Sequence, residues 1–447
     1  MKRIPGLIFA LALSQQLISQ QVIPDSNANW SVHFQMTVID QIHTGFHAAY
    51  SGANSFADTV EPGAVSVTST LFLGRRLWRG ASFYFNPELS GGRGLSSALG
   101  IAGALNGETY RIGDPSPVVS VARAYIQQTI PLGGDVSVYL ENAKDQVAGK
   151  VPARRLVISA GKFSMADFFD NNSYSHDPRT QFLNWSLMSN GAWDYPANIK
   201  GYTMGAVVEW INPGWAMRVS SVAVPVIANH SEMEYKLGKA HCETVEFQKD
   251  ILLGKRPGII RLLYSFMASR APSYRQGLEA LTDGDTTLLQ AISGNAQSAF
   301  FGGNKTGLGL NIEQAVTDDI GVFMRAGWND GKHVTWAFTE IDQTFQTGLN
   351  IKGAQWKRKE DVAGIAGVVN GISPDHRSFL KAGGYGFIVG DGALNYGHES
   401  VLEAYYNAKL FDNVWLSADY ELVHNPGYNK DRKGPVHVFG VRGHVEF

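Results

Sequence analysis

Apolar and polar residues alternate with a period of two along almost the whole chain, and helical periodicity is hard to find. The alternation is clear in four segments that lie far apart in the sequence: 30–38, 320–329, 402–410 and 416–422. Such a pattern predicts β-strands with one apolar face and one polar face. In a soluble sandwich the apolar face would form the core, whereas in a membrane barrel it would face lipid and the polar face would line the lumen. Alternation alone leaves both folds open.

The connections between these strands fall into two length classes that alternate almost strictly. Short turns join strand pairs at 79–80, 212–214, 254–257, 317–318 and 412–413. Long segments separate the pairs at 42–63, 91–119, 164–199, 225–242, 268–305, 329–344, 370–398 and 424–434. Outer-membrane barrels sort their connections in this way, with tight turns on the periplasmic side and long loops outside. The sorting therefore favours an all-β fold, a transmembrane antiparallel β-barrel, over a sandwich.

The same alternation gives a strand count of sixteen, with both termini on the short-turn side. We place the strands at 30–40, 65–77, 81–90, 120–131, 154–163, 200–211, 215–224, 243–252, 258–267, 306–316, 319–328, 345–353, 361–369, 399–411, 413–423 and 435–446. Two links on the short-turn side are less regular, 354–360 and 132–153. If the second link contained a hairpin that spanned the membrane, the count would become eighteen. Sixteen strands enclose an aqueous channel rather than a filled interior.

The amino terminus has the layout of an export signal. Lys2 and Arg3 form a short basic region, an apolar core follows at 7–13, and a polar run comes directly after it. This core is too short to span a bilayer, which takes about 20 apolar residues in a helix. We therefore expect a signal peptide over 1–20, with an approximate cleavage site, and a single outer-membrane barrel domain over 21–447.

Charge and cysteine content exclude several classes of protein. The chain has 38 Lys and Arg residues against 40 Asp and Glu residues, and this balance argues against nucleic acid or an acidic membrane surface as a partner. The single cysteine, Cys242, excludes an intrachain disulfide framework and a Cys-based zinc site. A mean hydropathy of −0.12 argues against a polytopic helical membrane protein. In a barrel, that value is the average of a lipid-facing and a water-facing set of residues.

Aromatic residues mark the predicted membrane boundary. Trp78, Trp210, Trp215 and Trp415 lie beside short turns, where an interfacial aromatic girdle belongs. The chain ends on Phe447, which closes an apolar-alternating strand and resembles the recognition signal of bacterial outer-membrane barrels. We therefore expect a protein of the bacterial cell outer membrane, with outer-membrane lipid around it and the barrel-assembly machinery binding it through Phe447.

An ordered set of short motifs runs from the third predicted strand to the last. The two most specific are His-Asp-Pro-Arg-Thr-Gln-Phe at 176–182 and Asn-Gly-Ala-Trp-Asp-Tyr-Pro at 190–196. The others lie at 85–88, 91–96, 106–108, 122–125, 161–163, 167–172 and 425–429, with Arg432 before the last strand. In these motifs the chain resembles the carbohydrate-selective porin family of the OprB type, from about Trp30 to Phe447. The resemblance implies a barrel that passes mono- or oligosaccharides across the outer membrane by passive diffusion.

Two neighbouring strands carry hydrogen-bonding side chains on their predicted lumen faces, as a sugar pathway requires. The third strand presents Asn86 and Glu88, and the fourth presents Arg123 and Tyr125. An ion pair between Arg123 and Glu88 would connect the two strands. Such pairs could equally serve only to neutralise the barrel interior. The segment between these strands adds three residues to the predicted pore lining: Arg93, Glu108 and Arg111.

The segment 164–199 is too long and too aromatic for a simple connection, since seven aromatic side chains would otherwise contact water. We expect it to fold into the barrel mouth and narrow it. Four of its residues would then present polar groups to the pore: His176, Asp177, Arg179 and Asp194. Trp185 or Trp193 would stack on a pyranose face, or the aromatic residues would only anchor the loop. Segment 370–398 is a candidate for a second plug element.

The sequence contains no Gly-x-Ser-x-Gly elbow and no His-Glu-x-x-His zinc motif. We therefore expect no catalysis, no cofactor and no metal ion, with sugars as the permeants. A general pore stays open as an alternative, as does a channel for a charged polysaccharide, which would need a strongly basic lumen. An outer-membrane barrel enzyme also stays open, because catalytic groups that meet only in space leave no linear motif. A soluble exported β-protein is the remaining alternative.

Overall fold

A computed structural model describes residues 29–108 and 116–447, and sixteen antiparallel strands within them form one closed barrel. The first strand pairs with the last through a continuous register, so the closed sheet has no free edge. The prediction of a sixteen-stranded all-β barrel is confirmed, and the soluble sandwich is wrong. The predicted signal peptide and the candidate pore residue Arg111 lie outside the described residues.

The strands, numbered β1–β16 in chain order, are close to the predicted ranges, and each pairs with its neighbours in that order. The first eight are β1 Trp30–His43, β2 Glu61–Trp78, β3 Ala81–Gly92, β4 Val118–Pro131, β5 Arg155–Phe163, β6 Thr203–Asn212, β7 Trp215–Val222 and β8 His241–Leu253. The other eight are β9 Arg256–Ser269, β10 Gly303–Ala315, β11 Ile320–Asn329, β12 Gln343–Gly353, β13 Arg358–Gly371, β14 Glu399–Phe411, β15 Val414–His424 and β16 Val436–Glu446.

The two faces of the barrel wall reverse the usual distribution of polar and apolar residues. On β16, Phe439 and Val441 are 46% and 54% exposed, whereas Arg442 and His444 are at most 1% exposed. The apolar residues therefore face outward and the charged residues face the barrel interior, which is the arrangement of a barrel in lipid. Alternation in the sequence becomes this inside-out wall because successive side chains of a strand point to opposite faces.

The two irregular links at the short-turn end are those that the sequence predicts. The irregular link after β12 is a single 3-10 turn, Ala354–Trp356. The long link between β4 and β5 contains two short strands, Ser137–Leu140 and Gly149–Pro152, which pair only with each other. This hairpin does not join the barrel wall, so the count stays at sixteen and the eighteen-strand alternative is wrong.

Within the described residues, the long loops carry four α-helices: α1 Trp185–Met188, α2 Tyr274–Asp283, α3 Thr286–Ile292 and α4 Pro374–Lys381. Helix α2 packs against α3 and α4, and Tyr274 of α2 stacks on His376 of α4 with 4.1 Å between ring centroids. Segment 370–398 thus belongs to a packed group of loops at the long-loop end. None of the helices in the two described ranges is long and apolar enough to cross a membrane.

The predicted aromatic residues lie at the short-turn end of the wall. Trp78 and Trp210 are 59% and 46% exposed, and Trp210 packs edge-on against Trp215 at 5.2 Å between ring centroids. Phe447 pairs with Phe34 of β1 through two backbone hydrogen bonds of 2.9 and 3.0 Å. The terminal residue therefore takes part in closing the barrel.

Candidate functional site

The segment 164–199, called the constriction loop from here on, lies inside the barrel. Most of its aromatic side chains are buried, and six of them are at most 7% exposed: Phe168, Phe169, Phe182, Trp185, Trp193 and Tyr195. A loop of this composition is stable only where these rings leave water. The prediction that it folds into the barrel is confirmed.

Arg325 of β11 holds the constriction loop from the barrel wall. Its guanidinium is fully buried and donates from Nε to Asp170 Oδ1 at 3.0 Å. The two terminal nitrogens donate to the carbonyls of Leu187 at 3.1 Å and Ser175 at 2.6 Å. One arginine therefore ties together three separated points of the loop.

Buried carboxylates on β14 and β15 hold the middle of the loop. Glu403 accepts hydrogen bonds from the backbone amides of Leu183 and Asn184 at 2.5 and 3.0 Å. Glu421 accepts from the side-chain amide of Asn184 at 2.8 Å. From β16, Arg442 donates to the carbonyls of Pro178 and Gln181. These contacts fix the loop to the lumen face of β14, β15 and β16.

A cavity of about 520 Å³ remains between the constriction loop and the opposite wall, which β1, β2, β4 and β6 form. Pockets for small molecules commonly have about 300–1,000 Å³. Five acidic residues line it: Glu108, Asp145, Asp167, Asp177 and Glu209. Four basic residues line it as well: Arg123, Lys144, Arg179 and Lys200. Within the described part of the chain, the lining therefore has nearly balanced charge.

Arg123 projects from β4 into this cavity and binds two carboxylates. It donates from Nε and Nη2 to the two oxygens of Asp167 at 2.7 and 2.6 Å. A second carboxylate, that of Asp145, lies 3.6 Å from Nε. The predicted Arg123–Glu88 pair is wrong, because the constriction loop brings Asp167 closer. Nη1 has no hydrogen-bond partner among residues 29–108 and 116–447.

Glu88 instead takes part in a neighbouring cluster behind the cavity. Arg179 of the constriction loop pairs with Glu108 at 3.0 Å and with Glu88 at 3.4 Å. Glu88 is 1% exposed and also accepts hydrogen bonds from the hydroxyls of Thr70 and Tyr202. Arg179 and Glu108 thus line the cavity, while Glu88 fixes their position from behind.

His176 and Asp177 reach the cavity from the tip of the constriction loop. Burial alone would raise the pKa of Asp177, but Lys144, Arg179 and a hydrogen bond from the Arg179 amide outweigh it and lower that pKa to about 2. Burial and the charge of Arg325 lower the pKa of His176. At neutral pH the tip therefore presents a carboxylate beside a neutral imidazole.

Aromatic rings form one side of the cavity. Tyr125 of β4 lines it and packs edge-on against Phe168 at 6.2 Å between ring centroids. Trp185 lines it too, with its ring 4.2 Å from that of Phe338. Aromatic faces next to paired charges can hold the apolar face of a sugar ring while polar groups bind its hydroxyls.

Five predicted pore residues lie away from the cavity lining within the described residues: Glu88, Asn86, Arg93, Trp193 and Asp194. Asn86 is fully buried and donates to both carboxylate oxygens of Asp145 at 2.9 and 3.0 Å. Arg93 donates to the carbonyl of Gly63 at 3.1 Å, at the long-loop end of β2. Trp193 and Asp194 are 2% and 7% exposed.

Trp193 and Asp194 anchor the constriction loop. The ring of Trp193 packs edge-on against Tyr195 at 5.2 Å between centroids. Asp194 pairs with Lys305 at 3.1 Å and accepts from the amides of Trp336, Ala337 and Phe338. Neither side chain lies among the lining residues described for the cavity, so of the two predicted stacking tryptophans only Trp185 is in place.

Substituting the two tryptophans separately should distinguish these positions. We expect Trp185→Ala to weaken the competition between sugars for entry in a liposome swelling assay by roughly fivefold. This factor corresponds to the loss of about 1 kcal/mol of contact between the ring and the sugar. Trp193→Ala should instead increase protease sensitivity of the constriction loop and leave sugar competition within about twofold. Equal effects of both substitutions on competition would contradict the assignment.

Sequence reasoning did not identify five charged residues of the lining: Lys144, Asp145, Asp167, Lys200 and Glu209. Asp167 begins one of the motifs that carry the family resemblance, and Glu209 alternates with apolar neighbours on β6. The sequence therefore contained a signal for Asp167 and a signal for Glu209. Lys144 and Asp145 come from the hairpin of the β4–β5 link, whose inward direction no periodic pattern indicates. No group of three or more metal-ligating side chains is arranged for a metal ion within the described ranges.

Comparisons with known proteins agree with this architecture. The family model described as "Carbohydrate-selective porin, OprB family" matches residues 64–447. The high-pH structure of Pseudomonas putida OprB superposes with a TM-score of 0.65 at 16% sequence identity, over 94% of this chain and 94% of that chain. The outer membrane channel DcaP of Acinetobacter baumannii gives 0.50 at 10% identity, over 95% of this chain and 99% of that chain.

At these identities the two structures are similar to this chain in fold. A search of curated proteins finds no match. The family model covers the wall from Ala64 of β2 onward, together with the constriction loop and the strand that bears Arg123. The chain therefore belongs to the carbohydrate-selective porin family of the OprB type.

Proposed function

We propose that sugars cross this outer-membrane porin through the cavity between the constriction loop and β1–β6, and that Arg123 is the central contact. The observation that carries the proposal is the arrangement around Arg123. Its guanidinium is held in place by Asp167, while Nη1 is buried and has no hydrogen-bond partner in the described residues. A fixed donor beside fixed acceptors suits a molecule that carries adjacent hydroxyls, each of which both donates and accepts.

The balance of charge in the lining supports neutral sugars as permeants. Acidic and basic groups pair across short distances, as Arg179 does with Glu108 at 3.0 Å. Such pairs offer many hydrogen bonds and no strong net field, and selectivity in a narrow pore depends on both. A charged polysaccharide would be favoured by a lining of one sign, and this lining does not favour it.

Passage by diffusion requires no chemical step, and we propose a channel without catalysis and without a cofactor. The family and the fold both indicate a channel. The proposal extends to biogenesis: residues 1–20 act as the export signal, and 21–447 form the barrel domain. Phe447, exposed by 47% at the end of β16, is the contact for the barrel-assembly machinery, and the apolar outer face contacts outer-membrane lipid. The proposed channel function involves no nucleic acid.

Liposome swelling tests this function directly. Proteoliposomes are challenged with glucose, a disaccharide and non-sugar solutes matched to each in size. We expect the sugars to enter faster than their matched non-sugars, because only sugars use the hydrogen-bonding groups of the cavity. Equal rates of entry for sugars and their matched non-sugars would show that the protein is a general pore.

A further inference from the structure

The link between β4 and β5, residues 132–154, folds back into the barrel and is called the lumenal hairpin here. Its two short strands, Ser137–Leu140 and Gly149–Pro152, pair with each other. Beyond them, Ala143 and Gln146 exchange backbone hydrogen bonds of 3.2 and 3.0 Å. The tip is therefore a closed turn that carries Lys144 and Asp145.

The tip binds the lumen face of several strands. Lys144 Nζ donates to Gln35 of β1 at 3.1 Å and lies 3.0 Å from Glu446 of β16. Asp145 accepts both of its hydrogen bonds from Asn86 of β3. Lys144, Asp145 and Glu446 are half-buried, and their hydrogen bonds involve a charged group, which makes them the stronger class.

Backbone groups of the hairpin bind the same wall. Ser31 of β1 donates to the carbonyl of Ala143 at 2.9 Å, and Arg76 of β2 donates to that of Ala148 at 2.5 Å. A Cβ atom at Gly149 would lie only 2.6 Å from the Arg76 guanidinium. The hairpin is thus fitted to the wall on both sides of its tip.

The tip lies between two cavities. The first is the sugar cavity, and the second, of about 530 Å³, lies toward the periplasmic turns between the hairpin and β2–β4. Among residues 29–108 and 116–447, three line both cavities: Gln127, Asp145 and Gln146. The hairpin tip and Gln127 of β4 therefore lie at the boundary between the two cavities.

We infer that the lumenal hairpin is a second selectivity element, in which Asp145 binds the hydroxyls of a sugar as it leaves the central cavity. The inference rests on the proposed function, since it assigns the exit from the same route. The constriction loop narrows the channel from the extracellular side, and the hairpin narrows it from the periplasmic side. Asp145 and Asp167 flank Arg123, so one cation is shared by a carboxylate from each element.

Two variants test the inference by different measurements. In the first, residues 141–148 are replaced by Gly-Gly. Leu140 and Gly149 are directly paired, so a two-residue turn closes the shortened hairpin. We expect single-channel conductance in planar bilayers to rise at least about twofold, because the tip no longer separates the cavities. Unchanged conductance would overturn the inference.

The second variant, Asp145→Asn, keeps the shape and one of the two hydrogen bonds from the Asn86 amide but removes the charge. We expect sugar competition to weaken by about fivefold, since hydrogen bonds to charged groups are the stronger class. The reversal potential in a salt gradient should shift toward anions. Glu141→Gln, on an exposed residue of the same hairpin, is the matched control and should change neither value. Equal behaviour of the two variants would overturn the role of Asp145.

The two proposals fail in distinguishable ways. If the wild-type protein shows no preference for sugars in swelling, the proposed function fails, whatever the hairpin variants do. If wild type prefers sugars but the shortened hairpin conducts like wild type, only the inference about the hairpin fails. Outer-membrane extraction and heat-modifiable gel migration confirm that each variant has a folded barrel before it is measured.

Discussion

Replacing Arg325 with methionine is expected to open the channel and abolish its preference for sugars while the barrel stays folded. The guanidinium binds Asp170 and the carbonyls of Ser175 and Leu187, so its loss frees three points of the constriction loop at once. It also leaves the buried Asp170 carboxylate without its ion-pair partner, and breaking a buried pair costs about 3–5 kcal/mol.

That cost falls on the loop and not on the wall. β11 keeps its continuous ladders with β10 and β12, and a methionine side chain occupies much of the volume of the arginine stem. We therefore expect single-channel conductance to rise at least about twofold, with matched sugars and non-sugars entering liposomes at equal rates. The measurements are planar-bilayer conductance and liposome swelling, made on the same purified protein.

Arg256→Met is the matched control for this prediction. Arg256 pairs with Asp318 at an exposed short turn, and exposed pairs of this kind contribute about 0–1 kcal/mol. It should conduct and select like wild type. A variant at Arg325 with wild-type conductance and selectivity would show that the loop is held without its central anchor.

Replacing Arg123 is expected to give the largest loss of sugar binding. A hydrogen bond to a charged group contributes about 1.5–3 kcal/mol, and about 1.4 kcal/mol already corresponds to a tenfold change in affinity. We therefore expect Arg123→Met to raise the half-saturating sugar concentration at least about tenfold. Asp145 and Asp167 would lose their shared cation, so the reversal potential in a salt gradient should shift toward cations.

Arg123→Lys separates charge from geometry. Lysine keeps the positive charge but lacks the planar fork that binds both oxygens of Asp167. The reversal potential of the Arg123→Lys channel should stay close to that of wild type, while sugar binding weakens as in Arg123→Met. Arg75→Met, on the outer face of β2 beside Trp30, should change neither. Wild-type sugar binding in Arg123→Met would exclude this residue from the filter.

The barrel wall was predictable because its pattern is local. Successive residues of a strand point to opposite faces, so the sequence of β16 alone indicates that Phe439 and Val441 face lipid while Arg442 and His444 face the lumen. Short turns alternate with long loops along the chain. Each strand could therefore be placed within a few residues.

The partners of the lumen residues were not predictable, because segments remote in sequence supply them. Arg123 and Glu88 lie on adjacent strands, yet Asp167 and Arg179 of the constriction loop take their places as partners. The sequence alone does not distinguish the role of Trp185 from that of Trp193. Their roles differ because Asp194 binds the amides of the outer loop at 336–338, which holds Trp193 away from the cavity.

The lumenal hairpin shows the same limit. Its residues have no clear periodicity, and a hairpin within the link was foreseen, but its direction was not. What turns it inward is a set of single contacts, such as Arg76 with the carbonyl of Ala148 and Lys144 with Glu446. Lys144 contacts both Gln35 of β1 and Glu446 of β16, so this pair of contacts requires the two strands to be paired.

The most direct test of sugar-selective passage is the ion current through single channels as sugar is added. In wild type, glucose or a disaccharide should reduce the current saturably, while a size-matched non-sugar should reduce it only in proportion to solution viscosity. Arg123→Met should move the half-saturating concentration upward by at least about tenfold. A current that falls equally with sugars and non-sugars, in both proteins, would contradict a sugar filter at Arg123.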